Sequence, residues 1–187
     1  VGEYILRRAC HDYRRWMATS AFEPLDLFIN VSVRQLLQPR FATIVGDALQ
    51  SSGIPSSSLV VEVTEGLFID KNERIFSVLD RLATMGVRIA LDDYGTGYSS
   101  LSYLTDLSLH TLKIDRSFIA ELANEKGRII VASVIDLAHD LGYEVIAEGV
   151  ETQWQHELLL GLGCDRSQGF LYGEPMAAYD VADFIRQ

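Results

Sequence analysis

Basic residues are scarce in this chain of 187 residues. There are 16 Lys and Arg against 26 Asp and Glu, a net charge of −10. A surface that grips DNA or RNA along its backbone needs a basic stripe, so a nucleic-acid polymer is excluded as the expected partner. A phosphate ligand is not excluded, because carboxylates can hold divalent cations that invert the local field. Cysteine is limited to Cys10 and Cys164, far apart and in apolar contexts. They read as two reduced core thiols of a cytoplasmic protein. There is no CxxC, and His11, His110, His139 and His156 are scattered without a pair at ligand spacing, which argues against zinc. These histidines read as solvated or capping. Proline occurs only 4 times, and no low-complexity run appears. No apolar run reaches the roughly 18 residues of a membrane span, so no membrane contact by this domain is expected. An initiator methionine is also missing, since the chain starts at Val1. The expectation is a piece of a longer parent, itself compatible with an inner-membrane anchor.

What is present is a 48% hydrophobic content, enough for a sizeable core, and a length that suits one domain over residues 1–187. The hydrophobic period alternates helix and strand. Ile5, Leu6, Ala9, Tyr13, Trp16 and Met17 form one face of a helix over Gly2 to Thr19. Leu25 to Val31 reads as a strand. Pro39 opens a helix through Leu49, ended by Gly53 and Pro55. Strands follow at Leu59–Val63, Val87–Leu91, Thr111–Ile114, Val145–Ala147 and Gln168–Tyr172. Helices are expected at Asn72–Met85, Ser99–Leu107, Arg128–Leu141, Thr152–Leu162 and Tyr179–Ile185, with Gly86, Gly142 and Gly163 as stops. Six strands with helical crossovers indicate parallel pairing. A doubly wound sheet and a (β/α) barrel compete.

The polar residues favour the barrel. Asn30 ends the first strand, Glu62 lies in the second with Glu65 just beyond, and Asp92 and Asp93 end the third. Lys113 and Asp115 end the fourth, Glu148 with Glu151 the fifth, and Gln168 opens the sixth. Strand ends of a parallel barrel converge on one mouth, where its active sites lie. A doubly wound sheet gathers only the strands at its switch point. Taken singly, each residue has a plainer reading: Asp93 as a helix cap, Glu65 as solvated, Lys113 as a surface charge. That reading weakens where charges are embedded in apolar strands, as in Val61-Glu62-Val63 and Lys113-Ile114-Asp115. Such groups need partners or a metal. Several carboxylates and an amide are oxygen donors suited to Mg2+ or Mn2+, and adjacent carboxylates suit a two-metal site. The residues by themselves point to metal-assisted hydrolysis of a phosphate ester.

The segment DDYGTGYSSL at Asp92 to Leu101 resembles the signature loop of EAL domains. So do NVSVRQL from Asn30, VEVTE from Val61, LKIDRSFI from Leu112, AEGVET from Ala147, and GCDRSQGFLYGEPM from Gly163. They keep the family's order over nearly the whole chain. The resemblance implies a TIM-like (β/α)8 barrel of EAL type with one antiparallel strand. It also implies cyclic di-GMP as ligand, hydrolysed to linear pGpG in bacterial signalling, with two Mg2+ or Mn2+ ions. Carried over, Asn30, Glu62 and Asp92 resemble ligands of one metal, and Asp92, Asp93 and Glu148 of the other. Lys113 resembles the residue that orients the attacking water, and Gln168 a hydrogen-bonding group in the same region. Glu65 is implied as anchor of the loop carrying Gly95, Thr96 and Gly97, with Asp115 and Glu151 as supports. Tyr94 stands where Phe is commoner. A homodimer and upstream sensory or diguanylate-cyclase-type domains are further implications.

The departure from the family pattern is the absence of the N-terminal strands and of the Glu-Ala-Leu tripeptide, whose Glu is a metal ligand. Truncation of a longer parent is the expected cause, leaving about six strands. Sheet edges left raw are poorly tolerated. The alternative to an active phosphodiesterase is a non-catalytic module that binds cyclic di-GMP or a protein.

Overall fold

Strands and helices alternate along a computed structural model that describes residues 2–19, 25–68, 72–97, 104 and 108–185. Six strands form one sheet whose neighbours follow chain order. The fold is α/β, of the parallel (β/α)-barrel type. The described residues fall into two compact units, divided within the second strand after Glu62 and within the third after Ile89. No helix among the described residues is long and apolar enough to cross a membrane.

The first unit begins with α1 (Gly2–Thr19). Its buried face is Leu6, Cys10 and Tyr13, at helical spacing. Ile5, expected on that face, is 52% exposed. A pure hydrophobicity pattern cannot tell which edge of an apolar stripe the neighbouring helix covers. Trp16 Nε1 donates to the Ala178 carbonyl at 2.8 Å, tying α1 to the chain near α8 (Val181–Phe184). Strand β1 (Leu27–Asn30) pairs in parallel with β2 (Leu59–Thr64), setting Asn30 opposite Glu62. Between them lie a short helix α2 (Val33–Leu36) and α3 (Phe41–Ser52). The helix expected from Pro39 starts later, because α2 and its exit turn occupy Pro39 and Arg40 caps α3. Gly53 ends α3 at φ +69°, a left-handed conformation that favours glycine. Helix α4 (Glu73–Thr84) is capped by Asn72, whose side chain accepts from the Arg74 N–H at 3.1 Å, and buries Ile75, Leu79 and Leu82.

In the second unit β3 (Arg88–Tyr94) from Ala90 onward, β4 (Thr111–Ile114), β5 (Glu144–Glu148) and β6 (Arg166–Gln168) pair in parallel, each with the next. Helices α5 (Arg116–Ala120) and α6 (Glu125–Asp140) lie between β4 and β5, and α7 (Gln153–Gly161) follows β5. Helix α6 buries Val131, Ile135 and Ala138. Burial of each large side chain is worth roughly 1.5–3 kcal/mol. Thr152 and Gln155 form a capping box at the start of α7.

Two expectations need correction here. The last strand ends at Gln168 instead of starting there. Beyond it the chain turns back, with the Leu171 N–H donating to the Val150 carbonyl and the Tyr172 N–H to the Gly169 carbonyl. The apolar residues Phe170 and Leu171 that suggested a strand belong to this turn. The closing helix is shorter than Tyr179–Ile185. The helix expected over Ser99–Leu107 lies outside the described residues, apart from Leu104. Both cysteines are free and buried, and burial pushes each thiol up to about 11, leaving them inert near neutrality.

Leu82→Ala, at a fully buried α4 position, is expected to lose about 2–5 kcal/mol of stability. Leu160→Ala, at a site 65% exposed, is expected to lose less than about 0.5 kcal/mol. Urea midpoints at unchanged slope check both.

Candidate active site

Successive side chains of a regular strand point to opposite faces. Neighbouring Asp92 and Asp93 would therefore separate. In the β3–β4 register, Leu91 pairs with Leu112 and Tyr94 with Ile114, so two β3 residues oppose the single Lys113. This is a β-bulge, a device that re-aims side chains. Asp93 takes φ +55°, a left-handed conformation that Asp tolerates better than most residues. Asp92 becomes buried, and Asp93 lines a cavity of about 460 Å³ at the ends of β3, β4, β5 and β6.

Lys113 is 3% exposed in the middle of an apolar strand. Its Nζ lies 2.5 Å from Glu148 Oε1 and 3.1 Å from Asp92 Oδ1. The contact to Asp92 is an ion pair without hydrogen-bond alignment, since buried Oδ1 accepts no hydrogen bond. Burial raises the pKa of Glu148; Lys113 opposes this, and Asp92 and Asp93 reinforce it. Burial also raises Asp93, with Asp92 and Asp115 adding to the rise and Lys113 and Arg116 opposing it. Carboxylate oxygens of Asp92 and Glu148 lie within 4.8 Å of one another. A close pair of oxygen donors, one of them lacking a hydrogen-bond partner, fits a hard divalent cation.

Each of the other expected residues has its own setting. Asp115 caps α5, accepting from the Ser117 N–H at 3.0 Å and its hydroxyl at 2.5 Å. Burial pushes the Asp115 carboxyl up, but these hydrogen bonds outweigh it and hold it below the usual range. Glu151 is exposed and shares the cavity with Gln168. Gln168 is held where its carbonyl accepts from the Val150 N–H at 3.0 Å. Gly169 permits that approach, because a Cβ there would lie 2.1 Å from the Val150 oxygen. Glu65 is buried, and its Oε2 accepts the N–H groups of Gly95 and Gly97, each at 3.2 Å. Thr96 Oγ1 donates to the Asp93 carbonyl at 2.9 Å. Asn30 and Glu62 stand opposite each other in the first unit, Asn30 exposed and Glu62 buried.

The surface-charge reading of Lys113 and the solvated reading of Glu65 are therefore wrong, while Asp115 does serve as a cap. Sequence reasoning missed Arg116, Gly149 and Phe170, which also line the cavity. Arg116 and Gly149 directly follow the acidic residues that end β4 and β5, a positional signal that was available.

Comparison with known proteins gives a match to the EAL domain family model over residues 1–175. The bifunctional diguanylate cyclase/cyclic di-GMP phosphodiesterase MucR of Pseudomonas aeruginosa is 40% identical over 179 residues, covering 95% of this chain and 26% of MucR. The structure of the MucR phosphodiesterase in complex with c-di-GMP superposes with a TM-score of 0.89 at 39% identity, over 96% of this chain and 73% of that one. A manganese/cy-diGMP complex of Klebsiella pneumoniae BlrP1 gives a TM-score of 0.82 at 28% identity, over 94% and 45%. The chain spans between 21% and 32% of the length of the curated relatives it matches.

Lys113→Met is expected to cost about 3 kcal/mol in metal-free buffer, because it strands two carboxylates that share one ammonium. Burial raises the Glu148 pKa, so the cost of its ionisation is absent below its unfolded pKa and sets in as pH rises through the raised folded value. The loss should therefore be full at neutral pH and shrink on acidification below the ordinary carboxylate range. Denaturation midpoints across a pH series test this; a loss independent of pH would contradict it.

Proposed function

Because this chain belongs to the EAL domain family, we propose that it hydrolyses cyclic di-GMP to linear pGpG, using Mg2+ or Mn2+. The observation that carries this reading is the Asp92–Lys113–Glu148 constellation at the ends of neighbouring strands. Relatives support it: MucR is named a cyclic di-GMP phosphodiesterase, and its phosphodiesterase has been solved with c-di-GMP. In this reading Asn30, Glu62 and Asp92 hold one cation, and Asp92, Asp93 and Glu148 the other. Held there, cations would supply a lowered pKa for an attacking water and neutralise charge on the phosphate.

The protein's own groups do the rest. Lys113 is fixed between two carboxylates, so its ammonium is pre-aimed and orients the water without reorganising. Gln168 hydrogen-bonds in the same region. Glu65 holds the backbone of Gly95 and Gly97, and with it the chain that follows Asp93. Water adds to phosphorus as one ester P–O bond breaks, leaving a phosphate monoester on one nucleotide and a hydroxyl on the other. The same reading has residues 1–187 acting as one domain in the cytoplasm, as a homodimer, alongside sensory or diguanylate-cyclase-type domains.

The test is chromatographic: cyclic di-GMP with the purified full-length protein, in Mn2+, Mg2+ or EDTA. Cation-dependent pGpG is expected, and Asp92→Asn should lower the rate by about a hundredfold or more. Cyclic di-GMP bound but left intact would replace this reading by a receptor. Intact hydrolysis in Asp92→Asn would overturn the ligand assignment.

A further inference from the structure

We propose that Phe118 is a positioning residue for the Asp92–Asp93 bulge, acting through Gly95, and that α5 sets the cation site by packing on two strand exits at once. The inference rests on the reading of Asp92, Asp93 and Glu148 as cation ligands. It starts from strain. Asp93 is held at φ +55°, a left-handed conformation that strains a non-glycine residue and persists only where its surroundings enforce it. The enforcing contacts lie just beyond it.

Gly95 has φ +95°, and a Cβ built on it would fall 2.5 Å from Phe118 Cε2 and 2.6 Å from Cζ. The ring is therefore seated against the Gly95 backbone, two residues past Asp93. Glu65 grips the same residue through its N–H. A second contact of the same kind lies one residue past β5. Gly149, directly after Glu148, has φ +71°, and a Cβ there would fall 2.5 Å from the Cβ of Arg116. Arg116 and Phe118 both belong to α5, which Asp115 caps and which β4 feeds directly from Lys113. One short, capped helix thus rests on the exit of β3 through Phe118 and on the exit of β5 through Arg116. Those exits carry Asp92, Asp93 and Glu148. Removing the ring leaves Glu65 as the restraint on Gly95 and frees the bulge to relax towards an unstrained strand, which turns Asp93 away from Asp92.

A contact that only stabilises the fold would change stability and leave cation affinity alone. Affinity is therefore the discriminating quantity, and it needs no turnover. Mn2+ is titrated into the purified protein, with free Mn2+ followed by electron paramagnetic resonance. Phe118→Ala is expected to bind Mn2+ about tenfold more weakly, the scale for groups that orient metal ligands. Phe118→Leu, which refills most of the space over Gly95, is expected to stay within about threefold of the wild type. Ile135→Ala, a core truncation on α6, supplies a variant destabilised without change near Gly95; it should keep wild-type affinity. Phe118→Ala binding within twofold of the wild type would overturn the proposal, as would an equal weakening in Ile135→Ala. A wild-type protein that binds no Mn2+ would overturn the cation reading itself, which is a separate result.

Discussion

Lys113 sits at the centre of β4 with Leu112 and Ile114 buried on either side. An ammonium in that position is tolerable only if carboxylates meet it, since an unpaired buried charge costs several kcal/mol. The sheet supplies them from both flanks. β3 and β5 are the parallel neighbours of β4, and they deliver Asp92 and Glu148 to Nζ. The dependence is mutual: Asp92, Asp93 and Glu148 would repel one another without a cation among them, and this repulsion adds to the burial that raises the pKa of Glu148 and of Asp93. The same balance that permits the ammonium to be buried makes the place receptive to a harder, doubly charged ion.

Geometry at β3 adds the second constraint. A strand in strict alternation cannot offer adjacent aspartates to one mouth. The bulge opposite Lys113 breaks the alternation at the cost of a strained Asp93. Glu65, Gly95, Gly97 and Phe118 then restrain the exit from that bulge. The glycines matter here because side chain and backbone approach too closely for a Cβ: Phe118 on Gly95, Arg116 on Gly149, and Val150 on Gly169.

Legibility followed the physics of each signal. Helix stops at Gly53, Gly86, Gly142 and Gly163 were readable because a left-handed residue demands glycine, and each has positive φ. Strand positions were readable from short apolar runs, and charged residues embedded in them pointed to buried partners. Edges were less readable. Ile5 belongs to the apolar stripe of α1 yet is exposed, and Phe170 and Leu171 look like a strand yet turn back over Val150. Hydrophobicity reports a preference for burial, not which neighbour arrives to satisfy it.

By itself the sequence determined the alternation of elements, the parallel sheet and the placing of polar groups at strand ends, because these rest on local periodicity and on the cost of burying charge. It also identified, by six ordered motifs, the family to which the chain belongs. Only the tertiary structure decided that Asp92 and Asp93 share one bulge, that Lys113 is divided between Asp92 and Glu148, and that Phe118 closes over Gly95. Those are relations between residues distant along the chain or fixed by strand register, and no local propensity encodes them.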